Sequence, residues 1–123
     1  MLETSVTLLE DIRIFALRIS SFVEGLDIQT YLQTPIVRGA VERYLQTLGE
    51  AAIRLRSSDS STADRITDIE KIIGLRHRLA HGYFDDINDE LIWATATHFI
   101  PMLLVEVESL LEEAGFANHD REN

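Results

Sequence analysis

The chain has 123 residues, no cysteine and a formal net charge of −10. This length suits a single domain over residues 1–123, and the lack of cysteine excludes disulfides, thiolate metal ligands and cysteine nucleophiles. No basic leader precedes an apolar core at the N-terminus, and no apolar run approaches the eighteen or so residues that span a bilayer, so we expect a soluble cytoplasmic protein without a membrane partner.

The charge is unevenly distributed along the chain. The stretch Arg38–Arg78 contains eight basic and six acidic residues, a balance of +2, whereas the rest contains three basic and fifteen acidic residues. Because nucleic-acid binding draws most of its free energy from clustered cations, we expect any surface that binds phosphate in the central third.

The first predicted helix is about twenty residues long. Its apolar residues recur at steps of four and three, the spacing of an amphipathic helix: Leu8, Ile12, Phe15, Ile19 and Phe22. Gly25 and Asp27 interrupt it, and the segment from Ile28 to Gln33 predicts a single turn.

The second predicted helix begins at Thr34-Pro35, which we interpret as an N-cap followed by proline at the first helical position. The same apolar pattern continues to about Arg56. A polar linker, Ser57–Thr62, follows and offers several caps for a third helix that starts nearby.

The third predicted helix contains the most reactive side chains, and the fourth shows a second apolar edge. The third has an apolar stripe from Ile66 to Ala80, and we expect Gly82 to end it with a positive φ. Asn88 predicts a cap for the fourth, Pro101 a kink within it, and Gly115 its end. The second apolar edge of the fourth consists of Leu91, Ala94, Met102 and Val105.

These elements predict an all-α fold, an antiparallel four-helix bundle with a possible extra short helix, since no alternating strand pattern occurs. A helix that is apolar on more than one side packs against more than its own bundle. The second edge therefore indicates a homodimer or a higher oligomer.

The segment Arg76-His77-Arg78-Leu79-Ala80-His81-Gly82-Tyr83 combines two guanidinium groups, two imidazoles and a phenol. Arg76 lies at the centre of the apolar stripe, where a charged side chain needs a partner, a ligand or a crevice. It is either a structural arginine paired with a carboxylate such as Glu50, or a group that binds phosphate.

His81 is five residues after Arg76, about 140° away on an ideal helix, so the two converge on a ligand only if the helix ends or the chain dimerises. Alone, His81 is explained as a helix C-terminal residue that interacts with the dipole. His77 and His81 share one face at i, i+4, but no third ligand follows at a suitable spacing, so we expect no metal.

The full pattern resembles a known family. The string Arg76-x-x-x-x-His81-x-Tyr83 with Phe84-Asp85 resembles the HEPN superfamily, and most closely the HepT-type toxins of the minimal-nucleotidyltransferase toxin-antitoxin systems. Further blocks are similar to that family's second helix, the lead into its motif and its fourth helix: Ala40-Val41-Glu42-Arg43-Tyr44-Leu45 with Leu48-Gly49-Glu50-Ala51-Ala52, Ile72-Ile73-Gly74-Leu75-Arg76, and Leu91-Ile92-Trp93 with Ile100-Pro101.

The resemblance implies a dimeric, metal-independent endoribonuclease without a cofactor, whose partners are RNA and a cognate minimal nucleotidyltransferase antitoxin. It assigns Arg76 to the scissile phosphate, His81 to general acid or base catalysis, and Tyr83 to adenylylation that neutralises the toxin. Asparagine often follows the motif arginine in that superfamily, whereas this chain has His77, so the roles of His77 and His81 stay open.

Two alternatives remain. The chain could be a docking or nucleotide-binding module for a nucleotidyltransferase with no catalysis of its own, which its acidity favours. It could also be a purely structural helical bundle, which explains the arginine on the apolar face least well.

Overall fold

The computed structural model describes residues 1–82 and 87–115, and this part of the chain contains helices and no strands. The all-α prediction is confirmed. The helices are α1 (Glu3–Val23), α2 (Ile28–Leu32), α3 (Pro35–Ser58), α4 (Ser60–Ala63), α5 (Ile69–His81), α6 (Asp89–Ala94) and α7 (Ile100–Glu113). A π-helical turn, Thr95–Phe99, joins α6 and α7 into one continuous helix, Asp89–Glu113.

The four long helices form the predicted bundle. α3 packs against both α1 and α5, and α1 also packs against α7. The core between them is aliphatic, and its largest fully buried side chain is Tyr31 of α2. α5 and the α6–α7 helix make few close backbone contacts, and an open cleft of about 530 Å³ separates them.

The connection between α1 and α3 follows the prediction except at Thr34. Gly25 ends the first helix with φ of +76°, and the Asp27 carboxylate caps α2 by accepting from the Thr30 amide. Pro35 takes the first position of α3, but the Thr34 hydroxyl makes no cap hydrogen bond. It donates instead to the Thr30 carbonyl at 2.6 Å, one turn back, so the predicted side-chain cap is wrong.

The predicted polar linker is largely helical. α3 continues to Ser58, and the Asp59 carboxylate caps the short α4 by accepting from the amide and the hydroxyl of Thr62. Asp59 also accepts from the Ser5 hydroxyl at 2.7 Å, which ties α4 to α1. These hydrogen bonds stabilise the ionised form and lower the pKa of Asp59 to about 2.

The third predicted helix starts later than expected. α5 begins at Ile69, so the buried Ile66 precedes it, and Asp68 just before the helix has a positive φ of 59°. Glu106 of α7 stabilises the turn before α5 by accepting hydrogen bonds from the amide and the hydroxyl of Thr67.

The irregularity expected at Pro101 takes the form of the π-helical turn. Proline has no amide hydrogen for the ladder and its ring crowds the carbonyl one turn back, so the preceding turn widens. The Ile100 amide bonds to the Thr95 carbonyl, five residues back. At the start of this helix the predicted cap is confirmed, since Asn88 accepts from the Leu91 amide at 3.1 Å.

The second apolar edge of this helix is confirmed as exposed: the accessible fraction is 38% for Leu91, 42% for Met102 and 68% for Val105. By length and mean hydropathy, 1.3, Asp89–Glu113 also meets the criteria for a membrane-spanning helix, contrary to the sequence expectation. Core helices of globular proteins meet them too, and Ile92, Ile100 and Leu103 of this helix are buried in the bundle. Tyr83, Phe84, Asp85 and the tail from Asn118 lie outside the described residues.

Candidate active site

Arg76 sits where α3 and α5 approach most closely, against Gly49. A methyl group built on Gly49 would lie 2.8 Å from the Arg76 Cγ, closer still to its Cβ, and 3.4 Å from the Ile72 carbonyl oxygen. Ordinary carbon contacts are about 3.5–4.0 Å. Glycine at position 49 is therefore required for this packing, because it lets the aliphatic part of Arg76 pack directly against α3.

The guanidinium of Arg76 is half-buried and only loosely paired. Its Nη2 lies 3.5 Å from Oε1 of Glu50, and the two side chains are 22% and 39% exposed. Its Nε is buried and has no hydrogen-bond partner among the described residues. The ion pair expected for a structural arginine is present, but its length leaves the outer nitrogens able to donate to an anion.

The two imidazoles lie on a different face of α5. His77 and His81 are both exposed, and their ring centroids are 4.9 Å apart. No hydrogen bond or ion pair connects either ring to Arg76 in the described part of the chain. The structure therefore pairs His77 with His81 and Arg76 with Glu50, but it does not bring the two pairs into contact within one protomer.

The C-terminus of α5 differs from the prediction at Gly82. The helix ends at His81 as expected, but Gly82 has φ of −77° and ψ of 157°, an extended conformation open to any residue. Its amide still donates to the Arg78 carbonyl at 2.7 Å. Glycine is not required there for a positive φ, and Arg78 and His81 lie where the negative end of the helix dipole favours cations.

A second polar cluster, which the sequence analysis missed, connects α2, α3 and α6. Arg38 donates to Asp89 at 3.1 Å, and Glu42 lies near both. Burial is the main cause that raises the pKa of Glu42, and the Asp89 charge adds to it. Burial also raises the pKa of Tyr31, whose hydroxyl has no partner in the described residues.

The sequence contained part of this signal, because Arg38 and Glu42 are one turn apart on a helix that buries its other face. Their link to Asp89 depends on tertiary packing across 51 residues. The described residues contain no group of three or more histidine, aspartate or glutamate side chains able to hold a metal ion.

Comparison with known proteins decides the family. A family model described as "Ribonuclease HepT-like" matches residues 12–110, which include the whole of the Arg76–His81 motif. The chain belongs to the HepT-like ribonuclease family of the HEPN superfamily. No solved structure matches it significantly.

Curated relatives carry ribonuclease names. "Putative RNase TTE0752" of Caldanaerobacter subterraneus subsp. tengcongensis is 29% identical over 91 residues, which cover 74% of this chain and 80% of the relative. "Putative RNase MJ0125" of Methanocaldococcus jannaschii is 26% identical over 95 residues, which cover 77% and 80%. These alignments cover about three quarters of the chain.

Proposed function

We propose that this HepT-like chain is a metal-independent endoribonuclease that acts as the toxin of a toxin-antitoxin system in the cytoplasm. The observation that carries the proposal is the way Arg76 is held between Gly49 and Glu50. A half-buried arginine whose ion pair is long, on the same helix as two exposed imidazoles, is suited to bind a phosphodiester.

The reaction uses the ribose as the nucleophile. One imidazole takes the proton of the 2′-hydroxyl while its oxygen attacks the neighbouring phosphorus, and the bond from phosphorus to the 5′-oxygen breaks. A second imidazolium donates a proton to that leaving oxygen. The products are a 2′,3′-cyclic phosphate and a 5′-hydroxyl. Arg76 neutralises the phosphate charge that increases in the transition state.

His77 and His81 are both placed to act in this chemistry. His81 is the residue that matches the family motif, and its ring lies beside that of His77 with the centroids 4.9 Å apart. We assign His81 as the main acid or base and His77 as its partner in proton transfer or orientation.

The site is completed by a second copy of the chain. Arg76 faces α3 whereas His77 and His81 face solvent, so a single protomer presents them on different sides of α5. The exposed apolar edge with Met102 and Val105 gives the dimer a surface to bury. In the dimer, the imidazoles of one protomer share a cleft with Arg76 of its partner.

Neutralisation occurs by modification of Tyr83. In the proposed step the Tyr83 phenol attacks the α-phosphorus of a nucleoside triphosphate bound to a partner nucleotidyltransferase, and pyrophosphate leaves. The attached adenylyl group adds negative charge two residues after His81 in the motif, which repels RNA and obstructs its access. Intact mass spectrometry of the chain after reaction with the nucleotidyltransferase should show added adenylyl groups that are lost in Tyr83→Phe.

The direct test of the nuclease is cleavage of RNA by the purified protein in the presence of a chelator. Arg76→Ala and His81→Ala should each abolish cleavage while the thermal unfolding curves stay close to that of the wild type. Cleavage that persists in both variants would exclude this mechanism.

A non-catalytic docking module for a nucleotidyltransferase is the second candidate. The net charge of −10 and the Arg76–Glu50 ion pair favour it, because an acidic surface suits a protein partner better than RNA and the pair gives Arg76 a structural role. Expression of the chain alone separates the two candidates, since a toxin slows growth and a docking module does not.

A further inference from the structure

The open side of the bundle contains a cleft that is lined by neither Arg76 nor His81. It lies between α5 and the α6–α7 helix and has a volume of about 530 Å³. We propose that this cleft is a subsite that binds one unpaired nucleobase of the RNA next to the cleaved phosphate. The proposal rests on the proposed ribonuclease function and adds to it the recognition of single-stranded RNA.

The cleft is continuous with the motif helix. Gly74 and Arg78 line it from α5, and they are one turn or less from His77 and His81. Arg78 is exposed and makes no ion pair in the described part of the chain. The other ionised side chains of the cleft come from the start of α5, where Asp68 pairs with Lys71 and Glu70 pairs with Arg56. A cation such as Arg78 at the motif end of the cleft is suited to bind the phosphate of the nucleotide whose base enters.

The walls are suited to a base. Leu75 and Leu91 form the apolar sides at the motif end, and Phe99 supplies a half-buried aromatic ring further in. Single-stranded RNA is commonly recognised by stacking of its bases on aromatic and apolar side chains. Thr95 and His98 add polar groups that can hydrogen-bond to the edge of the base.

The size of the cleft is that of a small-ligand site. Its volume of about 530 Å³ lies within the range of about 300–1,000 Å³ that is typical of such sites. An unpaired base with its sugar fits a cleft of this size.

The subsite can be filled from either wall without disturbing the core. Gly74 is exposed, and a methyl group added to it would have no atom within 4 Å, so Gly74→Trp projects into open space. Ala94, on the opposite wall, is also exposed, and Ala94→Trp is the second variant. Leu91 and Ala94 form the N-terminal part of the second apolar edge, whereas Met102 and Val105, which we assign to the dimer, lie outside the cleft. Gly39→Trp is the matched control, because Gly39 is also an exposed helical glycine with no atom within 4 Å of an added methyl group, and it lies outside the cleft.

The experiment measures the affinity for two probes by fluorescence anisotropy. One is a mixed-sequence single-stranded RNA of twelve nucleotides with every 2′-hydroxyl methylated, so that it is not cleaved; the other is an abasic oligonucleotide of the same length and backbone. The wild type should bind the RNA about tenfold more tightly, as expected for one stacked base. Gly74→Trp and Ala94→Trp should remove that difference, and Gly39→Trp should retain it.

Two results would overturn the subsite. Equal affinity of the wild type for both probes is one, and retention of the tenfold preference in both filling variants is the other. A change in molar mass of the filling variants by light scattering would assign the cleft to contact between copies of the chain instead. Methylated RNA is not cleaved, so these readouts stay separate from the cleavage assay, and either proposal can fail while the other stands.

Discussion

Gly49→Ala tests most sharply whether the close packing of Arg76 against position 49 is required. The new methyl group would lie 2.8 Å from the Arg76 Cγ and 3.4 Å from the Ile72 carbonyl, so α3 and α5 must separate or Arg76 must move. Overpacking of this kind costs about 1–3 kcal/mol, whereas alanine in place of glycine within a helix returns up to about 1 kcal/mol. We expect a net loss of about 1 kcal/mol, or a decrease in melting temperature of about 4 °C.

The effect on catalysis should exceed the effect on stability. A displacement of Arg76 by a fraction of an ångström moves the guanidinium relative to the phosphate, and a misplacement of about 1 Å can reduce a rate by about a hundredfold. We therefore expect kcat/KM for RNA cleavage to decrease by at least tenfold at a temperature where the variant is fully folded. The assay is initial-rate cleavage of a fluorescent RNA, combined with thermal unfolding.

Gly39→Ala is the matched control for this experiment. Gly39 lies in the same helix and is exposed, and a methyl group added to it would have no atom within 4 Å. The substitution should therefore stabilise the protein by up to about 1 kcal/mol and leave cleavage unchanged. If Gly49→Ala behaved like Gly39→Ala in both measurements, the close packing of Arg76 against position 49 would have no functional importance.

Three further substitutions test other parts of the structure. Glu42→Gln should stabilise the protein at pH 8, because folding raises the pKa of Glu42. The contribution of Glu42 to stability is complete below its unfolded pKa and is lost as pH rises through its folded pKa. The advantage of the variant should shrink towards pH 4 in unfolding titrations, and a constant gap would contradict burial as the cause. Asp59→Ala should cost about 1–2 kcal/mol at pH 7, because it removes the α4 cap and the link to Ser5. The pKa of Asp59 is lowered to about 2, so the electrostatic contribution of its carboxylate to stability is complete above the unfolded pKa near 3.8 and is lost as pH falls towards 2. In denaturant melts, the loss of stability caused by Asp59→Ala should therefore be larger at pH 7 than at pH 2.5. Val105→Glu should weaken the proposed dimer at least tenfold in sedimentation equilibrium, since Val105 is 68% exposed and the change adds charge to an apolar edge; unchanged self-association would exclude this edge from the interface.

The helices and their order could be predicted from the sequence because each long helix has a regular apolar stripe and recognisable ends. Asn88 acts as the predicted cap, and Gly115 has the positive φ expected near a helix end. The errors occurred where a side chain had a choice of partners or where several termini were equally suitable. Thr34 bonds back to a carbonyl instead of capping, and the serine-rich linker became α4 because Asp59 connects to Ser5 of α1.

The candidate site was predicted in part. The position of Arg76 on the apolar face of its helix followed from helix periodicity. Glu50, suggested as one possible carboxylate partner, is the residue with which Arg76 pairs. The requirement for glycine at position 49 did not follow, because it depends on how closely α3 and α5 approach. The Arg38–Asp89 pair and the cleft lined by Arg78 and Phe99 depend on the arrangement of helices distant in sequence, and no local pattern specifies that arrangement.

We propose that this bundle cleaves RNA through Arg76 and His81. The most direct measurement is incubation of purified wild type, Arg76→Ala and His81→Ala with single-stranded RNA in excess chelator, with the products separated by gel and their ends identified by mass spectrometry. We expect fragments with 2′,3′-cyclic phosphate and 5′-hydroxyl ends from the wild type and intact RNA from both variants. Intact RNA with the wild type, or the same fragments with both variants, would contradict the claim.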